Sequence, residues 1–441
     1  MNVEQLVREA LQEEAAAGGT PRGDLTDRVL TARRRRNRRG VVGAAAVTAA
    51  AIAVAVTSLP GDGPGRDEAG PASGSLNSDV IGHPDQSPPR DLIAAGNTAV
   101  SGYYTTSTVK QSNGDELFKR RYTLLNRKTG TYEKADEKWA WADVAPGMRT
   151  AAVLEGELPA RRIGLLDLAT GEVERWITPD RPVAGVEWSP DGKRLVATSY
   201  SKNPDRLLAP PKQFPHDEPR RHGSRTGFYV IDAGTGEVGP FHALRQPKPD
   251  KWGTYEGNPR EDLEWSHDGT KLYTQEVAES PAEITDGDDV EFTDGKEVPE
   301  GDIGDTRDAS APENPSRHWY TLDGEKTKAP AGEKYAGWPR AGLSPDGKLL
   351  AGDGDDKGSP LLDPKTGRKV GSVPGMQQLA WADNKRLIAW ACATERCAGK
   401  NEYRTRLVMV TVGKGKVVPL SDFRKPSDDD PGRWTPLLTA R

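Results

Sequence analysis

The sequence predicts an all-β fold: a six-bladed β-propeller preceded by a short helical cytoplasmic segment and one transmembrane helix. Three observations carry that expectation. A Ser-Pro-Asp-Gly turn recurs along the chain, a Thr-Gly turn alternates with it, and a charge-free apolar run follows an Arg cluster near the N-terminus.

The first turn is read from Trp188-Ser189-Pro190-Asp191-Gly192-Lys193-Arg194-Leu195, with copies at Trp265-Ser266-His267-Asp268-Gly269 and Leu343-Ser344-Pro345-Asp346-Gly347. Val144-Ala145-Pro146-Gly147 and Trp381-Ala382-Asp383-Asn384 are degenerate versions. Pro fixes φ at the second turn position, Asp tolerates the third, and Gly takes the left-handed conformation that lets twisted strands pair. The second turn follows apolar runs at Lys128-Thr129-Gly130, Ala169-Thr170-Gly171, Gly234-Thr235-Gly236 and Lys365-Thr366-Gly367. Three of those runs end in an acid, at Asp167, Asp232 and Asp363.

One period therefore reads strand, Ser-Pro-Asp-Gly turn, strand, variable loop, strand, Thr-Gly turn, strand. Four antiparallel strands in roughly 40 residues is the period of a propeller blade. The alternation resembles the WD40-like repeats of TolB-type β-propellers over the last four-fifths of the chain. The resemblance implies the fold and no particular activity, because propellers host binding and catalysis alike. Blades are expected to begin near Asp91, Trp139, Gly185, Asp262, Arg340 and Gln377. Closure requires a strand from one terminus, for which the 434–438 stretch and Val80-Ile81 are the candidates.

A chain of 441 residues with 34% hydrophobic content, 48 Gly and 35 Pro suits many short strands and turns. Net charge is −5. Residues 1–40 carry nine Arg against six Asp or Glu, which leaves 52 basic and 60 acidic residues in the remainder. An acidic bulk argues against nucleic acid as a partner.

Residues 3–17 place Val3, Leu6, Val7, Ala10 and Leu11 at helical spacing. A second helix is expected from the N-cap Asp24 into the cluster Arg33–Arg39. Residues 1–40 thus read as a cytoplasmic segment, with residues 3–30 available to a cytoplasmic partner. Residues 41–59 carry no charge and are long enough to cross most of a bilayer core of about 30 Å. The preceding Arg residues place the N-terminus inside and the propeller outside. Arg38-Arg39 resembles a twin-arginine export signal without its usual flanks, so export with cleavage is the alternative localisation. In placement the inner region also resembles the cytoplasmic leads of membrane-bound anti-sigma regulators, without the His and Cys of their zinc-binding form. Residues 60–90, rich in Gly, Pro, Ser and Asp, read as a flexible linker, and 91–441 as the propeller with a closing tail.

Long loops are expected at 110–115, 201–226, 279–317 and 392–404, all in the slot between second and third strands and so on one face. Elaborated loops on one face of a rigid scaffold are the usual form of a binding surface. The candidate binding residues on that face are His216, Arg220, Arg221, His222, His242, His318 and Trp319. Cys392 and Cys397, the only cysteines, are read as a disulfide; a two-thiolate metal site is the alternative, and it lacks the usual CxxC spacing. No metal, cofactor or catalytic residue is predicted: no HExxH, EF-hand or GxSxG pattern occurs. The function expected is non-catalytic binding of an extracytoplasmic protein, peptide or envelope polymer, relayed to the inner helices in a sensor version. The alternative is a glycosidase- or lyase-type enzyme using Asp, Glu and His of the long-loop face.

Overall fold

The structure, a computed structural model, describes residues 78–209, 220–221, 223–244, 260, 262–275, 317–337, 340–352, 358–392, 404–425 and 433–441. The expected cytoplasmic helices, the transmembrane helix and the 60–77 part of the linker lie outside them. Every regular element among the described residues is a strand, and none of these residues forms a helix long and apolar enough to cross a membrane.

In the first sheet β1 (Val80–Ile81) pairs with β2 (Ala94–Ala95), β2 with β3 (Thr98–Lys110), β3 with β4 (Glu116–Asn126) and β4 with β5 (Thr131–Lys134). Strand structure thus begins upstream of Asp91. The Gln86 side chain anchors this entry, accepting from the backbone N–H groups of Arg90 and Asp91 and donating to the Asp91 carboxylate. The second sheet is β6 (Trp139–Val144), β7 (Thr150–Glu155), β8 (Ile163–Asp167) and β9 (Val173–Ile177). The third holds β10 (Val183–Trp188), β11 (Arg194–Tyr200), then, past an insertion carrying β12 (Arg206–Leu208) and β13 (Arg220–Arg221), β14 (Arg225–Asp232) and β15 (His242–Ala243).

The fourth is β16 (Glu264–Trp265), β17 (Leu272–Gln275), β18 (Arg317–Tyr320) and β19 (Lys326–Thr327). The fifth has three strands, β20 (Leu350–Ala351), β21 (Ser359–Leu362) and β22 (Lys369–Val373). The sixth is β23 (Gln377–Asp383), β24 (Arg386–Cys392), β25 (Thr405–Thr411) and β26 (Val417–Pro419). The last strand, β27 (Trp434–Ala440), returns to pair along β3. With β27 counted into the first sheet, five sheets carry the four-strand meander of a β-propeller blade. In the fifth, Gly342 at φ 53° interrupts the extended backbone where a first strand was expected, and only the Leu343–Leu350 bridge remains.

The turns form for the reasons their residues suggest. The N–H of Gly192 donates to the carbonyl of Ser189 (2.8 Å) with Gly192 at φ 69°, and Asp191 accepts from the Ser189 hydroxyl. The Ser189 hydroxyl in turn accepts from the N–H of Arg194. Ser266 and Ser344 repeat both contacts. In the Thr-Gly turns the acid is the organiser: Asp167 Oδ1 accepts from the N–H groups of Ala169 and Thr170, and Asp363 Oδ1 from Lys365 and Thr366. His267, standing where the motif has Pro, retains an N–H that Pro lacks. That N–H donates to Glu333 Oε1 (3.0 Å), a buried carboxyl that burial pushes up to about 7.

Apolar clusters sit between neighbouring sheets. Ala151, Val153 and Leu166 of the second sheet pack with Leu124 and Leu125 of the first; Trp188 and Leu195 of the third pack with Leu154 and Ile163 of the second. Trp434 of β27, fully buried, packs with Trp390 and Leu407 of the sixth sheet and Val100 of the first. Indole N–H groups stitch the same interfaces: Trp188 donates to the carbonyl of Asp143 (3.2 Å), Trp265 to that of Glu187 (3.2 Å) and Trp381 to that of Gly342 (3.1 Å). The aromatic before each turn thus fills the sheet interface and uses its one polar atom there.

Candidate functional site

The first strands converge on a common axis: β6 contacts β10 and β27, and β10 contacts β16. Charged groups gather there in two tiers.

The outer tier is built by the loops. The β3–β4 hairpin extends past β5, and β12 from the third sheet's insertion pairs with its free edge, Arg206 opposite Leu117 and Leu207 opposite Glu116. Asp205, just before β12, is buried and takes Arg120 of β4 at 2.7 Å and Arg260 at 2.7 Å. Arg260 also pairs with Asp262 (2.9 Å) and donates to the carbonyl of Ala184, while the Tyr200 hydroxyl donates to Asp262 (2.9 Å). The guanidiniums of Arg260 and Arg120 stack on Trp141, at 4.0 and 5.1 Å from the ring centroid. Asp115 at the hairpin tip pairs with Arg206 and accepts the N–H of Ala209. Burial works against the charge on Asp205, but Arg260 and Arg120 outweigh it and hold the carboxyl below its usual range.

The inner tier is different in kind. Asp143, Glu187 and Glu264 occupy equivalent places on β6, β10 and β16, each two residues before the first residue of its turn motif, Ala145, Ser189 and Ser266 respectively. Each is partly exposed. Burial raises Asp143 to about 6, against the N–H groups of Trp188 and Val144 and the charge of Arg340, with Glu264 adding to the rise. Burial raises Glu187 well above the usual range, and the charges of Glu264 and Asp143 push the same way. Glu264 accepts the Tyr273 hydroxyl (2.6 Å). Glu187 Oε2 is screened from solvent and has no hydrogen-bond partner.

Arg340, at the entry to the fifth sheet, makes no ion pair with any described residue. Burial opposes its charge, and Glu264, Tyr104, Glu187 and Tyr273 more than offset that, so its pKa is raised. Raised carboxyls beside an unpaired guanidinium mark a functional site more than a structural one. Among the described residues no group of three or more His, Cys, Asp or Glu is arranged to hold a metal ion.

Of the candidates named from sequence, Trp319, His242 and His318 belong to the third and fourth sheets, and Arg220 and Arg221 to β13 beside the outer tier's β12. Trp319 is buried on β18 with its ring 4.9 Å from that of Tyr273, so it belongs to the packing of the fourth sheet and offers no exposed face. His242 sits on the outer strand β15 of the third sheet, its ring 5.1 Å from Phe228; His318 lies on β18 opposite Thr274. The backbones of Arg220 and Arg221 pair with Leu208 and Leu207. His216, His222 and Cys397 lie outside the described residues; Cys392 ends β24, and no free cysteine occurs among the described residues. Sequence reasoning passed over Asp143, Glu187 and Glu264, although an acid at one repeat position inside an apolar strand was visible.

No protein-family model matches the chain, and no curated protein matches it. Among solved structures the chain is similar to an oligogalacturonate lyase in complex with manganese, at 14% identity and TM-score 0.38, over 75% of this chain and 86% of that one. It is similar to an acylaminoacyl peptidase at 16% identity and TM-score 0.36, over 76% of this chain and 46% of the peptidase. It is also similar to TolB from Acinetobacter baumannii at 13% identity and TM-score 0.35, over 75% of this chain and 67% of TolB. At these identities and scores no activity passes from them to this chain.

Proposed function

We propose that this protein is a non-catalytic binding module: an extracytoplasmic β-propeller, anchored by residues 41–59, that holds its ligand where the 110–115 and 201–209 loops stand over the axial charges. In this reading the fifth sheet acts as a sixth blade, the Arg cluster at 33–39 keeps residues 1–40 in the cytoplasm, and Cys392 pairs with Cys397. The observation that carries the proposal is the pairing of β12 with β4, which joins two insertions from different sheets into one structure. A protein, peptide or envelope polymer is the partner class. The test is capture from cell-envelope extract by the full-length protein in detergent. Ser112→Trp, at the exposed hairpin tip, blocks capture while leaving the melting temperature unchanged; capture undiminished by that change overturns the assignment of the face.

One observation favours a second reading, acid–base catalysis: Asp143 with a pKa near 6 and Glu187 above the usual range are suited to proton transfer near neutral pH. Turnover of a glycan or peptide that Glu187→Gln lowers by about a hundredfold or more would establish it.

A further inference from the structure

A cavity of about 450 Å³ opens on the face away from the long loops, within the size range of small-molecule sites. Its walls are turns and a strand end: Asn97 between β2 and β3, Arg127 between β4 and β5, Gly147 and Met148 between β6 and β7, and Arg441 just past β27. β3, 13 residues long, runs from this cavity to the hairpin that carries Ser112, so about 40 Å separates the two. Leu92, Leu125 and Met148, all buried and packed in one cluster, make an apolar floor. Met148 is held there against its own backbone preference. It stands where Gly192 stands in the third sheet's turn, at φ 53° beside 69° for the glycine, and a side chain of its size rarely takes that conformation. Strain of this kind gathers at ligand clamps and active sites. The polar groups of the wall are set for an anion. Arg127, half-buried, makes no hydrogen bond or ion pair through its guanidinium with any described residue, and neither does the exposed Asn97 amide. Asp79, an acid of the same wall, is engaged by Arg386, whose two terminal nitrogens take both of its oxygens. Arg441, held by the carbonyls of Gly96, Ser78 and Asp79, adds a second positive charge.

We propose that this cavity binds a small monocarboxylate with an apolar body, its carboxylate on Arg127 and the Asn97 amide and its body on the floor of Leu92, Leu125 and Met148. The site goes beyond the binding-module reading, because it lies at the opposite end of β3 from the loops that reading uses. A guanidinium presents paired N–H donors that match the two oxygens of a carboxylate. A neutral apolar ligand would leave Arg127 unanswered, a cation would meet Arg127 and Arg441, and a bare inorganic anion would leave the floor uncovered. The wall joins Asp79, next to β1, to Arg441, next to β27, so an occupied cavity ties together the two strands that close the first sheet and stabilises the folded chain. The same chemistry comes as a free acid or as the C-terminal carboxylate of a peptide that ends in an apolar residue.

The test is calorimetry and thermal unfolding of the full-length protein in detergent at pH 7. Hexanoate is the probe for a free acid and N-acetyl-glycyl-L-leucine the probe for a peptide end, with acetate, hexylamine and hexanol as controls. At least one of the two probes binds and raises the melting temperature, and the tighter of them identifies the source. Acetate, which lacks the apolar body, binds about tenfold or more weaker than hexanoate, and hexylamine and hexanol do not bind. Arg127→Gln weakens binding of the probe about tenfold or more and leaves the melting temperature of the empty protein unchanged, while Arg127→Lys, which keeps the charge without the fork, restores part of the affinity. Failure of both probes, equal binding of hexylamine or hexanol, or binding indifferent to Arg127→Gln overturns the proposal. Partner capture and its sensitivity to Ser112→Trp are read at the other end of β3, so the binding-module reading stands or falls separately.

Discussion

The two tiers of charge on the axis are close neighbours with opposite accounts. In the outer tier every acid has its base: Asp205 lies between Arg120 and Arg260, Asp262 holds Arg260 and Tyr200, and Asp115 holds Arg206. In the inner tier Arg340 has no ion pair with a described residue and Glu187 leaves an oxygen unanswered. Both tiers perturb pKa values, so perturbation by itself does not separate structure from function. What separates them is saturation. Paired charges lock the loops onto the sheets, and unpaired ones remain available to something else.

Four substitutions break or sharpen that contrast. Asp205→Ala has the largest effect, because it leaves two buried guanidiniums without their shared carboxylate. A loss of about 3–5 kcal/mol in denaturant unfolding is expected. A loss below about 1 kcal/mol would show the outer tier to be ornamental to stability. His267→Pro removes the N–H that Glu333 accepts and strands a buried carboxyl, at about 1–3 kcal/mol by the same measurement.

Asp143→Asn reports on the inner tier through pH. Between about pH 4 and 6 an unfolded chain has already lost the proton that folded Asp143 retains, so stability falls as pH rises through that window. The variant flattens the fall in melting temperature across it, and an unchanged profile assigns the dependence to another group. Arg340→Gln has the smallest effect. With no ion pair to lose, its stability stays within about 0.5 kcal/mol of the parent. A larger loss would move Arg340 into the structural tier.

What was legible in the sequence is what is local. Ser189, Asp191 and Gly192 complete their turn with hydrogen bonds inside six residues, and Asp167 closes its own turn within four. Such patterns repeat as letters, and the propeller class followed from them. The fifth sheet departed from the period because Gly342 takes a left-handed conformation in the middle of the expected strand. The site was less legible. Arg120 and Asp205 stand 85 residues apart and no spacing links them. The axial acids did leave a mark, in Ala142-Asp143-Val144, Val186-Glu187-Trp188 and Leu263-Glu264-Trp265, where a charge interrupts an apolar strand at one repeat position. The histidines and Trp319 drew attention as residue types, whereas register decided their surroundings: the same β18 that exposes part of His318 buries Trp319.

The return of β27 to β3 bears on how the chain assembles. Ser101 meets Leu437 across that pairing, 336 residues further along. A polypeptide emerging from its N-terminus therefore carries β3 with one edge bare through the making of every later sheet, and a bare strand edge is where separate molecules begin to stick together. The fastening event comes last, when Trp434 drops between Trp390 and Tyr103. Production of this protein thus turns on keeping early segments apart until the final strand arrives.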